Sequence, residues 1–175
     1  MTPRFQRRLV VGILAVAGWS FAAVAQAQYA DLDRADWKED PVPPAPAYDS
    51  KRLIPIELSR SSVVRVGIDP QTLSINQKTG VVRYVVVAQG ASAVNAFYEG
   101  IRCSTGEYRV YARQVQGGEW SANSDDRWRS MRGEERYPHP FRLARDGLCL
   151  GTALNQTTGE MVRALRSPKG TLYPD

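Results

Sequence analysis

Residues 81–115 read VVRYVVVAQGASAVNAFYEGIRCSTGEYRVYARQV and contain three runs with the patterns of β-strands. The first run includes Val85-Val86-Val87-Ala88, which is apolar towards both faces and is therefore typical of a strand at the centre of a sheet. The runs 94–103 and 107–115 alternate between apolar and polar residues, with the turn-forming Ser104-Thr105-Gly106 between them. These patterns predict a long central strand followed by an antiparallel hairpin.

Shorter strands are expected before this region. Residues 53–58 and 63–68 are rich in β-branched side chains, which favour strands. Pro55 favours an edge position for the first of them, because proline has no backbone N–H to donate to a neighbour. Residues 72–75 form a further strand candidate, and residues 76–80 have the composition of a hairpin loop.

The last third of the chain is expected to be helical. Phe141, Ala144 and Leu148 recur at the spacing i, i+3, i+7, which would place them on one helix face. Residues 160–166 have the composition of a second short helix. Together these elements predict an α+β fold, with an antiparallel sheet of five to six strands and one or two short helices packed on it.

The N-terminus has the pattern of a secretory signal peptide. Residues 1–8 contain three arginines and no acid, residues 9–24 are almost wholly apolar, and Ala25-Gln26-Ala27 offers a small-x-small cleavage site. An uncleaved anchor is the alternative, but the apolar run is shorter than the roughly 20 residues that span a bilayer. The sequence therefore predicts a signal peptide at residues 1–27, a periplasmic location, and no membrane span after cleavage.

Removal of this segment changes the charge of the protein. The chain carries 23 basic and 18 acidic residues. Loss of the three N-terminal arginines leaves 20 basic against 18 acidic residues, a net charge of +2. The pI of about 9.4 therefore partly belongs to the signal peptide, and it does not indicate a nucleic-acid partner.

Residues 28–51 are acidic at first and then rich in proline. Four prolines within residues 41–46 exclude a helix or a sheet interior, so an extended, semi-rigid tether is expected. A docking peptide for a proline-binding partner is the alternative. The tether is predicted to lead into a single α+β domain at residues 52–168, followed by a C-terminal tail at residues 169–175.

The chain has two cysteines, Cys103 and Cys149. In an oxidising compartment an even pair is most simply a structural disulfide, and closing a loop of this length stabilises a fold by about 3–4 kcal/mol. Redox or metal chemistry is the alternative. The absence of a Cys-x-x-Cys motif and the presence of a single histidine, His139, speak against it, so no cofactor or metal site is predicted.

Several motifs together form a recognisable set. They are Asp36-Trp37, Ile54-Pro55-Ile56, Gly80-Val81-Val82-Arg83-Tyr84, Phe97-x-Glu99-Gly100-Ile101-Arg102-Cys103, Trp120, Trp128 and Cys149. In this set the chain resembles the CNP-one-like family of uncharacterised, exported envelope proteins of proteobacteria. Members of that family usually carry aromatic residues just before the second cysteine and a proline just after it, whereas this chain has Asp146-Gly147-Leu148 and Leu150. The resemblance implies an envelope location, but no activity and no site residues.

Glu99 is a candidate functional residue. Alternation along its strand places it on the apolar face of Phe97 and Ile101, where a buried carboxylate needs a partner. Arg83 or Arg109 on a neighbouring strand would form a structural ion pair with it. A ligand contact or a role as general acid is the alternative.

A second candidate lies in the polar stretch that follows the hairpin. Tryptophan and arginine side chains together can bind anionic or glycan ligands. The alternative is that the tryptophans cap the core of the sheet while the arginines remain solvated. The candidate binding surface consists of Trp120, Arg127, Trp128, Arg129, Arg132 and Arg136.

Signatures of catalysis are scarce in the sequence. His139 lies between Pro138 and Pro140 and is expected to have a structural role, and no Gly-x-Ser-x-Gly or phosphate loop is present. The sequence therefore favours a non-enzymatic binding or structural module of the cell envelope, with an envelope protein or a cell-wall polymer as its partner. A carboxylate-based hydrolase acting on an envelope glycan and a small-ligand or haem binder remain the alternatives. Nothing in the sequence indicates the oligomeric state.

Overall fold

The computed structural model describes residues 36–58, 63–133 and 138–167. The predicted signal peptide, the first part of the predicted tether and the predicted C-terminal tail lie outside these residues. Within them, eight strands form an antiparallel sheet in the order β1-β2-β4-β5-β6-β7, with β3 paired to β4 and β8 paired to β6. The strands are β1 (Ile54–Ile56), β2 (Arg65–Ile68), β3 (Ser74–Asn76), β4 (Val81–Gln89), β5 (Val94–Arg102), β6 (Glu107–Val115), β7 (Ser121–Ala122) and β8 (Arg129–Ser130).

The predicted α+β class is confirmed, with strands in the expected places. Strand β4 is central, and every residue from Val81 to Val87 is buried. Pro55 lies in β1 at one edge of the sheet. Two strands of this sheet had not been predicted: β7 and β8 contain two residues each, too few to show a period in the sequence.

Strand β6 contains a β-bulge that the sequence pattern did not reveal. Tyr98 pairs with Ala112 and Glu99 pairs with Val110, so Tyr111 is an extra residue without a partner on β5. A bulge reverses the alternation of side chains beyond it. The alternation in the run 107–115 would place Ala112 on the same face as Val110, but Ala112 lies with Tyr111 on the opposite face.

The inner face of the sheet carries the main core, covered by the helical part of the chain. Helix α1 (His139–Leu143) continues into a wider π-helical turn, Ala144–Leu148, and helix α2 (Thr158–Arg166) follows. The expected position of Phe141 on the buried face is wrong: Phe141 is 40 % exposed, and Leu143 is buried instead. Large buried side chains of this core are Ile68, Val82, Tyr84, Ile101, Leu143, Leu148 and Met161.

The outer face of the sheet carries a second, smaller core. Its buried members on the sheet are Val85, Val87, Ala96 and Tyr98. Residues 36–51, the described part of the predicted tether, form neither helix nor strand, and they lie along this outer face with side chains packed on it. The packed side chains of this segment are Val42, Ala45 and Tyr48. The boundary predicted between residues 51 and 52 stays a prediction.

The predicted disulfide is present. Cys103, directly after β5, is bonded to Cys149, the first residue of the short strand β9 (Cys149–Leu150), with 5.7 Å between the Cα atoms. Strand β9 pairs with β10 (Ala153–Leu154). The bond therefore joins the end of the central hairpin strand to the segment between the two helices.

Candidate functional site

A buried carboxylate fixes the N-terminal segment to the outer face of the sheet. The Glu39 side chain is 5 % exposed, and its Oε1 accepts hydrogen bonds from Arg83 Nη2 at 2.6 Å and from Tyr111 Oη at 2.6 Å. Arg109 Nη1 donates to Oε2 at 3.3 Å. Sequence reasoning missed Glu39, because it stands in a stretch whose composition predicts a solvated tether.

Tyr111 and Arg83 both keep their protons near neutral pH. Burial and the neighbouring charge of Glu39 raise the pKa of Tyr111, so its hydroxyl remains a donor. Burial alone would lower the pKa of the Arg83 guanidinium, but the interactions with Glu39 and Tyr111 together outweigh burial and raise that pKa. The cluster therefore acts as a permanent clamp between residues 36–51 and the sheet.

Glu99 lies on the inner face and pairs with different residues from those predicted. Its Oε2 accepts a hydrogen bond from Tyr84 Oη at 3.0 Å, and His139 Nε2 lies 3.0 Å from both carboxylate oxygens. Arg83 and Arg109 are instead in register with Gly100. Since neighbouring residues of a strand face opposite sides of the sheet, both arginines point away from Glu99.

The surroundings of Glu99 leave little room for a substrate. Glu99 is 1 % exposed. The burial of Tyr84 and the charge of Glu99 raise the pKa of Tyr84, so its hydroxyl stays protonated. A cavity of about 10 Å³ beside Glu99 is also lined by Tyr108, Asp125 and Arg129, and such a volume holds about one water molecule. We therefore assign Glu99, Tyr84 and His139 to an internal hydrogen-bonded cluster on the inner face.

The structure separates Trp120 from the other described residues of the predicted tryptophan–arginine surface. Trp120 precedes β7, which pairs with Ala112 and Arg113, whereas Trp128 precedes β8, which pairs with Glu107 and Tyr108. The two tryptophans therefore lie towards opposite ends of β6.

Trp128 and the neighbouring arginines are engaged with other residues of the chain. Trp128 contacts Trp37 edge to face at 5.7 Å between ring centroids. Arg127 and Arg129 both pair with Asp125, and their hydrogen bonds hold the pKa of Asp125 below its ordinary value. Arg132 is exposed in the turn after β8, and Arg136 lies outside the described residues.

Trp120 lines an open hollow of about 950 Å³ at the end of the sheet where β4 stops and β5 begins. It contacts Tyr48 edge to face, with 6.1 Å between ring centroids, and Tyr48 Oη donates a hydrogen bond to Gln114 Oε1 at 2.7 Å. The residues around the hollow come from four separate segments of the chain. Sequence patterns therefore indicated Trp120 as a candidate but did not indicate the residues that surround it. The lining residues are Ala45, Ala47, Tyr48, Asp49, Ser50, Gly90, Ala91, Ser92, Ala93, Val94, Gln114, Gln116, Gly117 and Trp120.

The described part of the chain is a disulfide-bonded α+β fold that contains the buried Glu39 and Glu99 clusters and the open hollow beside Trp120. The model of the CNP1-like family matches residues 32–166, which is most of the chain, so this protein belongs to the CNP1-like family. No curated protein matches the chain, and no solved structure matches it. In the described part of the chain, no helix is long and apolar enough to cross a membrane.

Proposed function

We propose that the protein is a non-enzymatic binding module of the cell envelope, exported to the periplasm by its N-terminal signal peptide, and that it binds its partner in the hollow beside Trp120. The observation that carries this proposal is the hollow itself, at about 950 Å³. Ligand sites in proteins typically measure about 300–1,000 Å³, so the hollow has the size of a binding site.

The charged clusters support a binding role over a catalytic one. A carboxylate hydrolase holds two carboxyl groups across one substrate, roughly 5–10 Å apart. Glu39 and Glu99 are the buried glutamates of the two clusters, and they lie on opposite faces of the sheet. Each is engaged by neighbours of the same chain, so neither cluster offers an open carboxylate pair to a glycan.

Export is supported by two independent features. The first 27 residues combine a basic start, an apolar run and a small-x-small site. The disulfide between Cys103 and Cys149 is the kind of bond that forms and persists in an oxidising compartment such as the periplasm. A partner in the same compartment would be an envelope protein or a cell-wall polymer.

Site-specific photo-crosslinking in living cells tests the proposal. A photoreactive amino acid is placed at Ala91, an exposed residue that lines the hollow, and as a control at Arg163, an exposed residue of α2. We expect an adduct of the exported protein from position 91 that is absent at position 163 and is lost when Trp120 is changed to Ala. Equal labelling at both positions, or an adduct unaffected by Trp120→Ala, would reject the hollow as the binding surface.

A small-ligand or haem binder is the second candidate function. The cavity next to Glu99 is too small for such a ligand, and the hollow is open to solvent. A haem bound there would remain partly exposed and would give a visible absorption band in the purified protein. If the purified protein is colourless and does not bind added haemin, haem is excluded as its ligand.

A further inference from the structure

The hollow has a lining that matches one class of ligand, and we propose that it binds a neutral saccharide chain. This inference rests on the proposed function and names the chemistry of the ligand. Its basis is the combination of two aromatic rings, two carboxamides and small neutral side chains around a single open space. The backbone of one of these carboxamide residues supplies a second, independent observation.

The aromatic part of the hollow consists of Tyr48 and Trp120. Their edge-to-face contact fixes both rings, and Trp120 is only partly buried. The face of an aromatic ring is electron-rich, so it attracts the C–H groups that cover one side of a sugar ring. The flanking residues Ala45, Ala47 and Ala91 are small, which leaves the space beside the rings open.

The polar part of the hollow consists of carboxamides. Gln114 lines the hollow and accepts the Tyr48 hydroxyl on Oε1, and a glutamine side chain also carries two amide N–H donors. Gln116 lines the same space and carries both a donor and an acceptor group. Carboxamides match sugar hydroxyls, which also donate and accept hydrogen bonds, without requiring a charge on the ligand.

Gln116 has a backbone conformation with positive φ, which is unfavourable for a residue that carries a side chain. Its φ is +50°, and it is the one residue other than glycine with positive φ in the described ranges 36–58, 63–133 and 138–167. Glycine adopts this region freely, whereas other residues reach it at a cost. Gly117 and Gly118 follow directly, so a glutamine held in this place points to a use for its side chain.

The charge of the lining excludes the common anionic polymers as the preferred ligand. Within the described ranges, the hollow has no lysine or arginine among its lining residues, and its charged member there is Asp49. The Asp49 carboxylate lies 3.8 Å from Arg52 and accepts the backbone N–H of Lys51. Among the described lining residues, a phosphate or uronate group would meet the Asp49 carboxylate and no lysine or arginine, with the nearby Arg52 already paired to Asp49, whereas anion sites depend on charged or clustered N–H donors.

Titration of the purified, oxidised protein with defined oligosaccharides tests the inference. The probes are a β-1,4-linked N-acetylglucosamine tetramer and a neutral glucose tetramer, with a polygalacturonate oligomer and a proline-rich peptide for comparison. Calorimetry and tryptophan fluorescence measure binding. We expect saturable binding of at least one neutral tetramer and no binding of the polygalacturonate oligomer.

Three variants locate the bound saccharide. Gln116→Gly removes one carboxamide and relaxes the backbone, so we expect binding to weaken about fivefold or more while the melting temperature holds or rises. Ser92→Arg places a bulky cation in the hollow and should abolish binding without removing a packed side chain. Arg163→Ala on α2 is the matched control and should bind like the wild type.

The outcomes separate this inference from the proposed function. Absence of binding by both neutral tetramers, or equal binding by wild type, Gln116→Gly and Ser92→Arg, would overturn the saccharide assignment. An adduct from position 91 in cells without saccharide binding in solution would overturn the saccharide assignment and leave the binding module standing. Preference for the proline-rich peptide or for the polygalacturonate oligomer would also overturn it.

Discussion

The hydroxyl of Tyr111 lies so close to Gly100 that a β-carbon at position 100 would come within 2.2 Å of the oxygen. Tyr111 reaches this position because it is the extra residue of the bulge in β6. From there its hydroxyl donates to Glu39 at 2.6 Å. Gly100 therefore leaves the space that the Tyr111 ring occupies. Because Tyr111 can lie there, its hydroxyl reaches Glu39 and helps to hold the N-terminal segment on the sheet.

Adding a methyl group at position 100 should destabilise the protein. We expect Gly100→Ala to lower the free energy of unfolding by about 1–3 kcal/mol, because the ring of Tyr111 must move out of its place. Urea denaturation measures the change. Gly90→Ala is the control: its β-carbon would meet its nearest atom at 3.5 Å, an ordinary contact. In a Tyr111→Ala background the cost of Gly100→Ala should shrink, and an undiminished cost would contradict this account.

Loss of the Glu39 charge should weaken the clamp on the outer face. Glu39→Gln leaves Arg83, which is 5 % exposed, without its carboxylate, and breaking a buried pair in this way typically costs about 3–5 kcal/mol. Asp40→Asn is the matched control, because Asp40 pairs with the exposed Lys78 and its loss should change stability much less. Proteolysis within residues 36–51 should accelerate in Glu39→Gln but not in Asp40→Asn. Equal behaviour of the two variants would show that Glu39 does not hold the segment.

Asp69 should make the stability of the protein depend on acidic pH. Burial alone would raise the pKa of Asp69, but hydrogen bonds from Arg52 and from the backbone N–H groups of Asp49 and Gln71 outweigh it and hold that pKa below 3.8. A carboxyl group with a lowered pKa in the folded state adds stability above its unfolded pKa, and this stability is lost as the pH falls through the folded value.

The comparison is between the wild type and Asp69→Asn. At pH 7 we expect the variant to be less stable by about 2 kcal/mol, and the difference should shrink as the pH drops below about 4. Urea denaturation at several pH values measures it. Asp146→Asn is the control, since Asp146 pairs with the exposed Arg145. A difference that stays constant from pH 7 to pH 2 would argue against this role of Asp69.

The inner cluster around Glu99 should prove structural. Tyr84→Phe removes one hydrogen bond to Glu99 and should cost about 1–2 kcal/mol. Glu99→Gln should also destabilise, and the double variant should lose less than the two single changes added together, because both remove the same contact. Neither change should affect labelling from position 91. A folded Glu99→Gln protein that no longer labels its partner would instead place Glu99 in the function.

Loss of the disulfide should cost stability without changing the fold. Replacing Cys103 and Cys149 by alanine is expected to lower the free energy of unfolding by about 3–4 kcal/mol. A reducing agent should produce a similar loss in the wild type and no further loss in the double variant. If the reducing agent also destabilised the double variant, its effect on the wild type could not be assigned to the Cys103–Cys149 bond.

Periodic patterns made the centre of the fold predictable. The run Val85–Val87 is apolar on both faces and is buried in the middle of the sheet, and the hairpin after it alternates over nine residues on each strand. Because many residues of each strand follow the same apolar or alternating pattern, one residue that departs from the pattern does not prevent the strand from being predicted. The helix at Thr158–Arg166 was predicted from composition, two residues shorter at its start.

The candidate site depends on single residues and on distant pairing, which such patterns do not contain. One extra residue, Tyr111, reverses the alternation in β6. The partners of Glu99 were misassigned because Arg83 and Arg109 align with Gly100, one position along the strand. The role of Glu39 becomes visible only when strand pairing places Arg83 and Arg109 on either side of Gly100.

The path of residues 36–51 along the sheet gives the molecule a direction. Trp37 donates to the backbone of Thr79, at the end of the sheet where β4 begins, whereas Tyr48 lines the hollow at the end where β4 stops. Nine residues of β4 separate these ends by roughly 27 Å. The described N-terminal segment therefore starts at one end of the sheet and reaches the hollow at the other, so a ligand bound in the hollow would lie far from the contact between Trp37 and Thr79.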